Sequence, residues 1–201
     1  MRYSAISLVS LALAGAIAGS TLRAYADGAP ETPTSPRNID GTPPLVPIPN
    51  ARVTTTGLLI GGQPSAEQLK AIQQAGYRTV ITLRPESERG DEGEAAAVEQ
   101  MGMKFVRIPV AGAPGLTESN ARALNAALVQ RDALPAVVHC SIGQRVSALM
   151  GLRAFVVDRV SPTAAMDLAK SLGLKELETA LRDRIAQICK ADPSRNCMGV
   201  Q

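Results

Sequence analysis

Ala136-Val137-Val138-His139 runs without a break into Cys140-Ser141-Ile142-Gly143-Gln144-Arg145 and then into Val146-Ser147-Ala148-Leu149. The first four residues have the make-up of a fully buried strand. Leu149, Leu152, Phe155 and Val156 then recur at helical spacing within Val146 to Val157. Six residues, 140–145, are left to turn the chain between strand and helix. Small Ser141 and Gly143 suit a tight loop whose backbone N–H groups converge on a bound oxyanion. The N-terminus of the following helix adds about half a positive charge at the same point.

Outward from this loop the same alternation recurs. Ser65 and Gln68 have capping-box spacing ahead of Leu69 and Ile72, and Gly76 is placed to stop that helix in a left-handed conformation. Thr79-Val80-Ile81-Thr82-Leu83 reads as a buried strand ended by Arg84-Pro85. A charged loop, Glu86 to Gly93, leads to a helix through Ala95 to Met101, and Phe105-Val106-Arg107-Ile108 forms the next strand. Thr117 caps a third helix, and two further helices cover about 162–172 and 174–188. Upstream, Val53 to Ile60 reads as a short hairpin or strand before the turn Gly61-Gly62-Gln63-Pro64. Strands separated by helices of about 10 to 15 residues imply right-handed crossovers, hence an α/β fold with a parallel sheet between two helical layers. The domain is expected over 51–188, with a tail over 189–201. In such sheets ligands bind where strand C-termini meet helix N-termini, which is where residues 140–145 fall.

Cys140 opens the loop with its sulfur toward the converging N–H groups, a setting that favours thiolate over thiol and makes a nucleophile for phosphorus or sulfur. Arg145 closes it with a planar fork that holds two equatorial oxygens of a transferring group, a match that Lys does not make. Ser141, Ile142, Gly143, Gln144 and Arg145 are therefore the candidate phosphate-binding residues, and Cys140 and Arg145 the candidate catalytic pair. His139, the one histidine of the chain, is expected to hydrogen-bond the loop backbone and tune Cys140. One histidine and three scattered cysteines supply no zinc spacing, so neither a metal nor another cofactor is expected.

His139-Cys140-x-x-Gly143-x-Arg145 resembles the signature of the cysteine-dependent tyrosine and dual-specificity phosphatases. More narrowly, Gly62-Gln63-Pro64-Ser65, Thr79 to Arg84, Ile108-Pro109-Val110 and the cysteine loop are similar to the bacterial phosphatase-like domains related to beta-lactamase-hydrolase-like proteins, over about residues 57–157. The resemblance implies the phosphatase fold, phosphomonoester substrates with phosphotyrosine among them, no metal, and a phosphocysteine intermediate on Cys140. The partner is then a phosphorylated protein or a small phosphomonoester.

The sequence departs from that pattern at three points. Four residues separate Cys140 from Arg145 where five are usual. The shorter spacing is similar to that of rhodaneses, so a rhodanese-like sulfurtransferase is an alternative. Val146 follows the arginine where a hydroxyl is usual, which leaves Ser141 or Ser147 to assist thiolate departure. The family's general-acid Asp belongs after the strand ending near Ile108, and Val110 to Leu116 contains none. Glu118 is the nearest carboxylate and the candidate acid, with Asp91 and Glu92 as rivals, although an acid in a first helical turn also complements the helix dipole. Without an acid, the chain reads as a catalytically weak phosphate- or phosphopeptide-binding protein.

The 201 residues are 45% hydrophobic and 19% charged, enough apolar content for one core. Met1-Arg2, an apolar run from Ala5 to Ser20 and Ala24-Tyr25-Ala26 read as a signal peptide over 1–26, cleaved before Asp27. The run is shorter than the roughly 20 residues that span a bilayer. A periplasmic or secreted location is expected, with no membrane association after cleavage. Losing Arg2 and Arg23 takes the formal charge from +3 to +1, and the chain has no Trp, three Tyr and two Phe, so nucleic acid is not an expected partner. Prolines from Pro30 to Pro49 mark residues 27–50 as a linker, read first as plain spacer, with docking of part of it over the domain as an extended strand as the alternative. In an oxidising compartment, Cys189 and Cys197 are expected to close a disulfide across the polar turn between them.

Overall fold

The computed structural model describes residues 43–192 together with 194, 195, 197 and 198. The expected signal peptide and residues 27–42 of the expected linker lie outside the described residues. Five strands, β1 (Arg52–Val53), β2 (Leu58–Gly61), β3 (Thr79–Thr82), β4 (Lys104–Arg107) and β5 (Ala136–His139), form one sheet in the order β1-β2-β5-β3-β4. The last four run parallel, and β1 folds back antiparallel on β2 at one edge. Residues Val53 to Ile60 thus resolve into a hairpin on an otherwise parallel sheet.

The position of β5 follows from its composition. All four of its residues are 0% exposed, and a strand with no polar face is accommodated only between two neighbours with both faces covered. The edge strand β4 instead carries exposed Lys104. Alternation along the strands divides the core in two. Leu59, Val80 and Val137 face α1 (Ala66–Gln74) and α2 (Glu94–Gln100), where they meet Leu69, Ile72 and Val98. Leu58, Ile60, Ile81 and Val138 face α3 (Glu118–Leu128), α4 (Gln144–Val156), α5 (Pro162–Ser171) and α6 (Glu178–Ala191), meeting Leu124, Leu149, Leu152, Ala165 and Leu181. The result is the three-layer α/β arrangement expected from the alternation.

Local signals act where they stand. The Ser65 hydroxyl accepts from the Gln68 N–H while the Gln68 side chain accepts from the Ser65 N–H, completing the capping box of α1. The Thr117 hydroxyl accepts from the Asn120 N–H at 3.1 Å and starts α3. The last helix differs from expectation: α6 begins at Glu178 rather than near residue 174 and reaches Ala191. Ahead of it, Gln144 Oε1 accepts from the N–H groups of Lys175 and Glu176 at 2.7 and 2.9 Å, which fixes the connection before α6.

Residues 43–50 also differ from a plain spacer. Their prolines read as linker, yet Val46 and Ile48 are each 4% exposed and pack with Leu59 and Ile72. The Tyr77 hydroxyl donates to Pro44 O at 3.2 Å and Gln68 Nε2 to Pro47 O at 2.6 Å. Proline presets an extended chain, and the apolar residues between the prolines supply the burial that docks it. The packed unit therefore includes residues from Pro43 onward, not from 51.

Cys189 and Cys197 are disulfide-bonded, with Cα atoms 5.8 Å apart, and Cys140 is the free, buried thiol. A loop this short stabilises the tail by at most about 3 kcal/mol in the chain-entropy estimate. Strand register then sets up the site. Gly61, His139, Thr82 and Arg107 are aligned across β2, β5, β3 and β4. The segments that follow these strands consequently leave the sheet side by side, with the cysteine loop at their centre.

Candidate functional site

The cysteine loop is held by backbone bonds to its neighbours. Cys140 N–H donates to Gly61 O at 3.3 Å, Gln63 N–H to Ser141 O at 3.0 Å and Leu83 N–H to His139 O at 2.8 Å. Gly62 must be glycine here, because a Cβ would come 2.7 Å from Ser141 O. Gly143 stands at φ 94°, the left-handed region, and is the N-cap of α4. Its N–H points back across the loop and reaches Cys140 Sγ at 3.1 Å, with Cys140 only 1% exposed. A donor on the sulfur and a helix N-terminus behind it both stabilise negative charge at that point.

Arg145, at the other end of the loop, is gripped by a residue that the sequence had not singled out. Its Nη1 and Nη2 donate to Glu88 Oε2 and Oε1 at 2.7 and 2.8 Å, and Nη1 also donates to Val110 O at 3.1 Å. Glu88 Oε1 also accepts from Arg84 Nε at 3.0 Å. Arg84 is 5% exposed. It donates to Gln63 Oε1 at 2.7 Å, to Gly90 O at 3.1 Å and to Arg89 O. Gln63 Nε2 in turn donates to Glu94 Oε1 at 2.8 Å, and that oxygen lies 3.1 Å from His139 Nε2. Arg145 is thus tied through Glu88 to the buried Arg84, which reaches Gln63 and, through it, the Glu94 carboxylate beside His139.

Glu88 is held below the usual carboxylate range, chiefly by the hydrogen bonds from Arg145 and against burial, which pushes the other way. Arg145 is raised, first of all by Glu88 and further by Cys140. Glu88 is therefore ionised at neutral pH and acts as a brace for the guanidinium. Its folded-state value is the lower one, so the stability it contributes is complete above the unfolded carboxylate range and is lost as pH falls through the depressed value. Melting curves of wild type and Glu88→Gln are expected to differ at pH 7 by up to about 1 kcal/mol, the scale for a partly exposed pair. The two are expected to converge as pH falls through the depressed carboxylate value. A gap that persists unchanged down to acid unfolding would show that the charge of Glu88 does not brace Arg145.

The other expected residues fall as follows. His139 is 0% exposed, but neither ring nitrogen makes a hydrogen bond to the loop backbone as expected; the ring faces Glu94 on the far side of the strand end. Gln144 contributes its backbone to the loop, while its side chain turns away and donates to Gly173 O at 2.9 Å. Ile142 is 47% exposed. The Ser147 hydroxyl donates to Gly143 O and Leu172 O at 3.2 and 2.8 Å and is not directed at the sulfur, which leaves Ser141 as the loop hydroxyl.

The acids considered from the sequence are not brought to the loop. Glu118 Oε2 pairs with Arg195 at 3.0 Å and with Arg122 at 3.6 Å, an attachment to the tail and to its own helix. Asp91 pairs with Arg107 at 2.8 Å, and Glu92 accepts from the Gly90 N–H at 2.9 Å. Glu88 and Glu94 are the carboxylates that meet the loop. The sequence signal for both was the acidic stretch 86–94, in which spacing alone ranks no residue above another. Among the described residues no group of three His, Cys, Asp or Glu is placed to hold a metal ion, and no helix is long and apolar enough to cross a membrane.

The family described as "DSP-PTPase phosphatase fused to NAD+ Kinase" matches residues 50–185. The beta-lactamase hydrolase-like protein of Xylella fastidiosa is 31% identical over 107 residues, covering 51% of this chain and 24% of that protein. Its namesake in Agrobacterium fabrum is 29% identical over 120 residues, covering 58% and 27%. The match thus spans about a quarter of the length of these relatives. A DUF442 protein from Shewanella putrefaciens has a similar structure, with a TM-score of 0.56 and 24% identity over 74% of this chain and 92% of that one. The core catalytic domain of the PP-IP phosphatase SIW14 from S. cerevisiae has a TM-score of 0.51 and 18% identity over 74% and 95%. These two likenesses show a shared fold.

Proposed function

Because the chain belongs to the DSP-PTPase family matched over residues 50–185, we propose that it is an exported cysteine-dependent phosphatase that hydrolyses phosphomonoesters. The observation that carries this reading is the pairing of Cys140 Sγ with the Gly143 N–H at 3.1 Å in the loop that Arg145 closes. The Cys140 thiolate attacks phosphorus, an S–P bond forms, and the P–O bond to the leaving group breaks with its electron pair on oxygen. Water then attacks phosphorus, the S–P bond breaks, and phosphate departs with the thiolate restored. Backbone N–H groups of residues 141–145 and the Arg145 guanidinium hold the equatorial oxygens through both steps.

Glu88, ionised against Arg145, donates no proton to the leaving group. Esters whose leaving group departs without a proton are therefore the best substrates. The purified protein is expected to release phosphate from p-nitrophenyl phosphate, and far more slowly from an alkyl phosphate, without added metal. Thiocyanate formation from thiosulfate and cyanide, with no phosphate release, would replace this reading by the sulfurtransferase one that the four-residue spacing allows. Phosphate binding with neither activity would leave a binding protein. Phosphorylated proteins and small phosphomonoesters both remain within the substrate class.

Export rests on the expected signal peptide 1–26 and on the Cys189–Cys197 disulfide, a bond that persists in oxidising compartments. The mature protein is then periplasmic or secreted. Mass spectrometry of protein from the periplasmic fraction is expected to find Asp27 at the N-terminus; an intact Met1 would remove the export assignment.

A further inference from the structure

A cavity of about 220 Å3 opens on the outer flank of the cysteine loop. Ile142, Gly143 and Gln144 form one wall, while neither Cys140 nor Arg145 lines it. Two cationic side chains, Arg52 from β1 and Lys175 from the α5–α6 connection, line it. Among the described residues neither has a carboxylate within ion-pair distance; the acids of the chain are paired with other cations or unpaired. The hydrogen bond that Arg52 does make, from Nη1 to Asn50 O, is long at 3.3 Å.

The surroundings are built to hold these groups. The Arg52 guanidinium lies so close to Gly173 that a Cβ there would sit 2.7 Å from Nη1, and Gly173 has φ 96°. The positive φ favours glycine at 173, and the arginine head packs against the open face it leaves. Asn50 adopts φ 53°, uncommon for a residue with a side chain, and its amide donates to Ile142 O at 3.0 Å. On the other side, Gln144 fixes the backbone of residues 173–176 through three hydrogen bonds. The cavity is therefore a preformed polar concavity with two unpaired cations. One carboxylate, Glu176, also lines it, which leaves the formal charge of the lining positive.

We propose that this cavity is a second oxyanion subsite, in which Arg52 and Lys175 take a phosphate group while the cysteine loop holds another. The inference rests on the phosphatase reading of the loop and narrows it: the preferred substrate is a phosphomonoester that bears a second phosphate. Charge-assisted bonds from a guanidinium and an ammonium are the chemistry that such a group needs. The volume is ample, since one water occupies about 30 Å3 of liquid.

The test has two arms, both on the full chain. Calorimetric titration of Cys140→Ser with inorganic phosphate is expected to find two sites, and one site when Arg52→Ala and Lys175→Ala are added. One site in both proteins would overturn the proposal. The kinetic arm compares an aryl monophosphate with the corresponding bisphosphate, in wild type and in Arg52→Ala/Lys175→Ala. For the bisphosphate KM is expected to rise about tenfold, the equivalent of one charge-assisted bond, with kcat unchanged. The monophosphate is expected to show no change. Equal effects on both substrates, or none, would overturn the assignment of the second phosphate to the substrate, and two calorimetric sites would then identify free phosphate as the occupant. Absence of turnover on either substrate in wild type would sink the phosphatase reading, while the calorimetric arm still judges the subsite. Both side chains are exposed, so the double variant is expected to melt with wild type.

Discussion

Cys140→Ser is expected to abolish turnover of an aryl phosphate, with kcat falling by roughly four to six orders of magnitude, the scale of removing a nucleophile from a preorganised site. The fold is expected to remain, because one oxygen replaces one sulfur at a position that is 1% exposed and still faces the Gly143 N–H. The loss is chemical. A serine hydroxyl stays protonated where a thiol can ionise, and no neighbouring base is present to take its proton: the one histidine, His139, is turned to Glu94. Steady-state rates measured beside thermal melting separate the two effects. A residual rate above about a hundredth of wild type in a protein that melts normally would remove Cys140 as the nucleophile.

Arg145→Ala is expected to lower kcat/KM by about a thousandfold or more, since it removes the guanidinium that closes the loop and neutralises charge on the transferring group. Arg145→Lys is expected to recover only a small part, because a point charge replaces the planar fork. The structure adds a complication that separates this residue from a simple clamp. Arg145 is also the partner of Glu88 at 2.7 and 2.8 Å, so Arg145→Ala leaves that carboxylate facing Arg84 alone. The double variant Arg145→Ala/Glu88→Gln also strips buried Arg84 of its carboxylate partner, so it is expected to be no more stable than Arg145→Ala by melting and no more active. If Glu88→Gln restored activity to Arg145→Ala, the kinetic loss would belong to the stranded carboxylate and not to the missing clamp. Residual kcat/KM within tenfold of wild type in the single variant would reject the clamp outright.

Much of this architecture was legible along the chain. Capping boxes, buried β-branched runs and the glycine-bearing turn after β5 are local devices whose meaning depends on a few neighbouring residues, so Ser65, Thr117, the strand 136–139 and the loop 140–145 read correctly in isolation. Residues 43–50 did not, because their prolines are a local signal for extended chain, whereas the burial of Val46 and Ile48 comes from a sheet face assembled by distant segments. The connection before α6 is likewise held from a distance, by Gln144 more than thirty residues upstream.

The sequence alone sufficed to identify the cysteine loop, the α/β layering and the disulfide pair, since each is written in adjacent residues or in a composition that only one environment satisfies. What surrounds the loop was decided by tertiary structure. Parallel strands of equal register bring Gln63, Arg84, Glu88 and Val110, which lie on three different segments, to the same edge as Arg145. Glu118, close to that edge in sequence, is drawn off to Arg195. Carboxylates choose partners by distance and desolvation, neither of which is a property of sequence order, and so the acid nearest along the chain lost to two that the fold carried to the site.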